Sequence, residues 1–175
     1  MTAKISGKYV AAFVQSAGEV SAVFEKKAQE TLASHGIEEP DPEGYYDDAE
    51  FGAALAEIEE KAGERTVRRA GQKMIAVNEP IVSQSSAVAG LETMAEQHAG
   101  IHRDYSVAEA GGYDVLSTSD DSCRVDVLGD YPFPLSLPHG AIEGTVQQTE
   151  SEATRVTVDR VDAPDDVFAR FEVGW

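Results

Sequence analysis

The spacing of apolar residues divides the chain into a part with helical period and a part with strand period. Residues 7–34 carry the stripe Val10, Phe13, Val14, Ala17, Val20, Phe24, Ala28 and Leu32, which predicts helix, bent or divided at Gly18. HGIEEPDPEG (35–44) predicts a turn region, with Gly36 as C-cap. Asp47 or Asp48 then caps a helix burying Phe51, Leu55, Ile58 and Ala62 and ending at Gly63. ERTVRRAGQKMIAVNEP predicts a third helix with Val67, Ala70, Met74 and Val77 inward, stopped by Pro80. Serines 83, 85 and 86 offer caps for a fourth helix over 88–105. Its stripe is Val88, Leu91, Ala95, His98, His102 and Tyr105, so two histidines four residues apart face inward.

After Gly111-Gly112 the period becomes two. YDVLSTS predicts a strand, and SCRVDVLG alternates, with Cys123, Val125 and Val127 on one side and Arg124 and Asp126 on the other. Three spaced prolines in YPFPLSLP forbid a central strand there, and a short helix follows from about Pro138 with Ala141, Ile142, Thr145 and Val146 inward. TRVTVDRV and VFARFEVGW predict two closing strands around an acidic turn. The expectation is one α+β domain over 1–175, with a helical part over about 1–108 packed on an antiparallel sheet over about 112–175.

Charge changes this picture more than composition does. The chain has 32 acidic residues against 14 basic ones, a formal charge of −18. Acids are spread over nearly every segment and lysine is scarce, which predicts a haloadapted surface whose self-repulsion salt screens. A phosphate backbone demands a basic face, so nucleic acid is not an expected partner. The one basic cluster, Arg65, Arg68, Arg69 and Lys73, is either a solvated helix face or a docking patch. No apolar run reaches transmembrane length and the N-terminus has no signal-peptide pattern, so a soluble cytoplasmic protein is expected. The single cysteine, Cys123, leaves no partner for an internal disulfide.

Candidate chemistry is sparse. His98 and His102 share a helix face, as zinc-chelating pairs do, but HAGIH lacks the glutamate of the HExxH motif and no third ligand lies nearby. A single axial heme ligand needs only one histidine on an apolar wall. Cys123 with His139 would require adjacency in space. The pairs Asp47-Asp48, Asp120-Asp121 and Asp165-Asp166 fall at caps or turns and read as solvated termini. No phosphate-binding glycine loop and no G-x-S-x-G is present, so an enzyme is not expected.

Taken in order, GKYVAAFVQSAGE, the YYDDAEF…GQKM region, LETMAEQHAGIHRDY, YPFPLSLPHGAIEGTV and FARFEVGW resemble the segments of the heme–nitric oxide/oxygen binding (H-NOX) family. The resemblance implies a small-ligand sensor with heme as cofactor, His102 as the ligand to the heme iron, Tyr131 as a further cofactor contact, and a separate signalling protein as partner. The family's propionate clamp is Y-x-S-x-R; here Phe133 and Leu135 follow Tyr131 at the serine and arginine places. Neither donates the charge-assisted hydrogen bonds a propionate needs. The pocket then holds a different apolar ligand, or is filled by Phe133, Leu135 and Met94 in a heme-free interaction or adaptor module. FARFEVGW also resembles the end of four-vinyl-reductase-like small-ligand domains, although their companion cysteines to Cys123 are absent.

Overall fold

The computed structural model describes residues 2–175 and follows the expected α+β order. Strand β1 (Lys4–Ser6) leads into α1 (Gly7–Val20) and α2 (Ala22–Ser34). These two helices divide at Ser21, not at Gly18, which stays inside α1. Ser21 is extended and its hydroxyl accepts from Phe24 N at 3.1 Å, so the serine ends one helix and caps the next. Strand β2 (Tyr45–Asp47), α3 (Asp48–Ala62), α4 (Glu64–Ala76), α5 (Glu79–Val82) and α6 (Ala87–Gly100) complete the helical part. Val77, expected inward, is instead the C-cap of α4 and 71% exposed.

The largest departure is at the end of α6. Helix was expected to about Tyr105, but it stops at Gly100 and His102–Arg103 form a strand, β3. β1 lies between β2 and β3, pairing Ile5 with Tyr46 on one side and His102 on the other. Ser6 N also donates to Ile101 O at 2.8 Å. Period-3.6 spacing continues through His102, but a residue distant in sequence captures the backbone first. Asp104, at φ 57°, then turns the chain in a left-handed conformation that aspartate tolerates better than most residues.

A short helix, α7 (Val107–Ala110), precedes the second sheet. Strands β4 (Gly112–Ser119), β5 (Ser122–Leu128), β6 (Thr157–Val161) and β7 (Ala169–Gly174) form an antiparallel sheet in the order β4-β5-β7-β6. Cys123, Val125 and Val127 oppose Val173, Phe171 and Ala169 and are buried, as alternation predicted. The other face is polar: Arg170 grips Asp126 through two bonds of 2.7 and 2.9 Å. Helix α8 (Ser136–Thr149) begins two residues before Pro138 and buries Ile142, Thr145 and Val146.

One continuous core joins the helices to the inner sheet face. Phe13, Phe51 and Phe24 meet edge to face with centroids 6.2–6.4 Å apart, and burying each such ring contributes roughly 1.5–3 kcal/mol. Helices α4 and α8 touch backbone to backbone: a Cβ at Gly140 would lie 1.9 Å from Arg68 O, and one at Gly71 would lie 2.4 Å from Leu137 O. Glycine at these two positions sets the spacing of the pair.

Candidate functional site

Helices α1, α4, α6 and α8 border a cavity of about 240 Å³ that is partly open to solvent. Its walls are mainly apolar, with Met74 and Ile75 from α4, Met94 from α6 and Leu137 from α8. Tyr9, His98, Tyr113 and Tyr131 close one side. Asn78 and Gln97 add amides, which bond each other at 2.7 and 3.2 Å. Lys8 is the one cationic lysine or arginine on the wall.

His98 is the histidine that faces this cavity. Its Nε2 lies 2.9 Å from Ala110 O, which only accepts, so Nε2 carries the proton and the lone pair rests on Nδ1. Burial pushes its pKa down to about 4, with the nearby charge of His102 acting in the same direction and the Ala110 bond opposing both. His98 is therefore neutral at pH 7. Its ring stacks on Tyr131 at 5.7 Å and meets the edge of Tyr113 at 5.1 Å. The hydroxyls of Tyr113 and Tyr131 bond each other. Desolvation raises the pKa of both phenols and of Tyr9, keeping all three protonated.

His102 occupies a different position. Its side chain is fully buried, with Nδ1 2.6 Å from His98 O and Nε2 3.2 Å from Asp48 Oδ1. Nδ1 faces a pure acceptor and must donate. Nε2 is taken up by its hydrogen bond with Asp48. Neither nitrogen is free to ligate, and His102 does not line the cavity. It joins the end of α6 and β3 to the first turn of α3. Asp48, expected to be a solvated cap, is only 2% exposed, whereas Asp47 Oδ1 accepts from Ala49 N and Glu50 N and is the cap. The helix N-terminus supplies partial positive charge that favours the buried carboxylate. Asp48 Oδ2 has no hydrogen-bond partner.

Tyr131 lines the cavity, and its hydroxyl is taken by Tyr113. Phe133 fills the space beside it, with ring centroids 5.3 Å from Tyr131 and 5.6 Å from Phe51. Leu135 is not on this wall; it lines a groove on the outer side of α4 and α8. Cys123 is buried on the inner sheet face and burial pushes its thiol up to about 11, so it is protonated and a poor nucleophile. His139 packs against Phe171 at 5.3 Å. Among the described residues, no group of three or more His, Cys, Asp or Glu side chains is placed to hold a metal.

These residues do not fit a heme in this arrangement. Drug-sized ligands need cavities of roughly 300–1,000 Å³; this one is about 240 Å³, and a tetrapyrrole is larger than most such ligands. The expected iron ligand has both nitrogens engaged, and Phe133 and Leu135 carry no charge for propionates.

Sequence reasoning missed His98 as the cavity histidine, and also Tyr9, Tyr113 and the buried role of Asp48. The available signal was His98 itself, one turn earlier on the same predicted stripe.

No family model and no curated protein matches the chain. Solved structures do. An oxygen-binding H-NOX domain related to soluble guanylate cyclases is similar at 18% identity and TM-score 0.66, over 97% of this chain and 93% of that one. A mutant H-NOX domain of T. tengcongensis gives 18% and 0.69 over 97% and 95%. A Cs H-NOX mutant carrying an unnatural cyano-phenylalanine gives 19% and 0.69 over 97% and 94%. Matched over 97% of its length at TM-scores of 0.66–0.69, the chain has the H-NOX fold.

Proposed function

We propose that this chain is a sensor domain that binds an apolar small molecule in the α1–α4–α6–α8 cavity, without heme, and signals to a separate protein. The observation that carries this reading is the cavity itself: apolar on most sides, with the neutral imidazole of His98 on its wall. A small molecule with an apolar body and one hydroxyl or amine donor matches that lining. Met74 and Ile75 on α4 and Leu137 and Ala141 on α8 are the groups it would touch. A ligand that prefers one spacing of α4 and α8 shifts the population toward that spacing by its difference in affinity. The fold supports a sensor over an enzyme, and the protonated Cys123 thiol offers no contrary chemistry.

The H-NOX structures favour a second reading, in which heme is bound through His102, with Tyr131 as a contact. It requires the His102–Asp48 pair to break and the cavity to widen. A heme-free adaptor is a third reading, supported by Phe133 packed into the aromatic cluster.

Two measurements separate them. The protein is titrated with hemin and its absorption recorded, then melted with and without toluene and benzyl alcohol. The sensor reading expects no Soret band attributable to a site, and a melting temperature that rises with benzyl alcohol in proportion to ln(1 + [L]/Kd). A Soret band lost in His102→Ala would overturn it in favour of heme. No stabilisation by either molecule would leave the adaptor.

A further inference from the structure

Helices α4 and α8 have a second face. Opposite the apolar cavity they border an open groove of about 1000 Å³, with β6 and β7 forming its other side. Gly71, Met74 and Ile75 of α4 look into the cavity, whereas Arg65, Arg68, Arg69 and Gln72 line the groove. On α8, Leu137, Pro138 and Ala141 take the cavity side and Ser136, His139 and Glu143 the groove side. One glycine-spaced helix pair is the shared wall.

The charge of the groove runs against the rest of the molecule. Four of the 14 basic residues, Arg65, Arg68, Arg69 and Arg160, line it in a chain of net charge −18. Arg68 pairs with Glu143 at 2.7 Å. Among the described residues, Arg65, Arg69 and Arg160 make no ion pair despite an excess of carboxylates. Arg160 reaches the groove because it opposes Phe171 in the β6–β7 register and so shares the inner face of the sheet. Half-buried Leu135 supplies apolar surface to the groove, beside the buried Phe171. Of the glutamates on the walls, Glu143 is held by Arg68 and Glu59 accepts from the Ser136 hydroxyl.

We propose that this groove is the output surface of the domain: it docks an acidic segment of a partner protein in which carboxylates alternate with apolar side chains. Guanidinium groups recognise carboxylates through paired, charge-assisted hydrogen bonds. Arg65 and Arg69 on α4 and Arg160 on β6 line the groove from different elements, with Leu135 as the apolar contact, which suits a chain segment with spaced acids. A compact polyanion would meet Glu59 and Glu64 as well. The net negative charge opposes an acidic partner at long range, but the Debye length is about 8 Å at physiological salt, so that repulsion is screened while contacts inside the groove persist. Docking is independent of what fills the cavity; only its regulation by the cavity, through the shared α4–α8 wall, rests on the sensor reading.

The test uses the full chain at physiological salt and a fluorescein-labelled synthetic peptide alternating glutamate and leucine, with a lysine–leucine peptide and citrate as comparisons. The proposal expects saturable binding of the glutamate peptide only. Binding should weaken by about tenfold or more, about 1.4 kcal/mol, in Arg65→Gln/Arg69→Gln/Arg160→Gln. Arg68 is left intact because it ties α4 to α8, and an unchanged melting temperature shows that the variant folds. Equal binding of the lysine peptide, competition by citrate at comparable concentration, or an unaffected triple variant each overturns the docking surface. Binding that passes these tests and is unchanged by benzyl alcohol keeps the docking surface and removes only its link to the cavity.

Discussion

On one side of the α4–α8 pair lies a mainly apolar pocket of about 240 Å³ with Lys8 as its one lysine or arginine; on the other lies a groove of about 1000 Å³ with four arginines and three glutamates. Both use the same two helices. The difference comes from what each helix face meets. The inner faces meet α1, α6 and the aromatic residues around His98, where water is excluded and a charge would cost more than it gains. The outer faces meet β6, β7 and Glu59 of α3 across the groove, so charged groups remain solvated and available. A helix pair with contrasting faces can relay events on one side to the other if its spacing changes. Glycine contacts at Gly71 and Gly140 are what permit the close approach.

The most severe way to break this arrangement lies behind the cavity. Asp48→Ala removes the hydrogen-bond partner of His102 Nε2 and leaves a buried imidazole nitrogen unpaired. A loss of about 3–5 kcal/mol is expected in urea unfolding, as for other broken buried pairs, and both cavity and groove should be lost together.

His98 makes a pH-dependent contribution to the cavity side. Its folded pKa of about 4 lies below the ordinary 6.5, so the unfolded chain binds a proton that the folded chain refuses. Stability from this group is complete above about pH 6.5 and falls as pH drops toward 4. The total is on the order of 3 kcal/mol, at 1.36 kcal/mol per pKa unit. His98→Phe should flatten that part of the difference profile between pH 7 and 4. A profile identical to that of the unaltered protein would contradict a neutral buried imidazole.

Gly140→Ala acts on the shared wall. The added methyl meets the Arg68 carbonyl, so the helices must separate, at a cost of about 1–3 kcal/mol. Benzyl alcohol stabilisation and glutamate-peptide binding should change together in this variant. If either survives unaltered, the two sites are not linked through the pair.

Salt tests the surface as a whole. With 32 acids against 14 bases, screening should raise the melting temperature between low and multimolar salt. An unchanged value would contradict a haloadapted surface. The smallest effect is expected on the groove side: Arg65→Gln should alter stability by no more than about 0.5 kcal/mol, since Arg65 is exposed and makes no ion pair.

Periodicity alone carried the helical part, the alternation of β5 and β7 and the proline-rich loop without a strand, because each depends on which residues must leave water over a few turns or a few alternations. Its failures share one cause. Ser21 divides the first two helices where Gly18 seemed the natural break, since a serine that caps outweighs a glycine that merely weakens. Asp47 and Asp48 look alike in sequence, but one bonds the helix N-terminus in water and the other bonds a buried histidine 54 positions away. His98 and His102 are equivalent on a helical stripe. They become different only because β1 pairs with β3 and pulls His102 off the helix, toward Asp48 and away from the cavity. The sequence by itself determined the α+β order, the acidic surface and the presence of a histidine on an apolar wall. The tertiary structure alone decided which histidine that is, how small its cavity is and where the arginines converge, because long-range strand pairing and helix contact set those outcomes and leave no periodic trace in the chain.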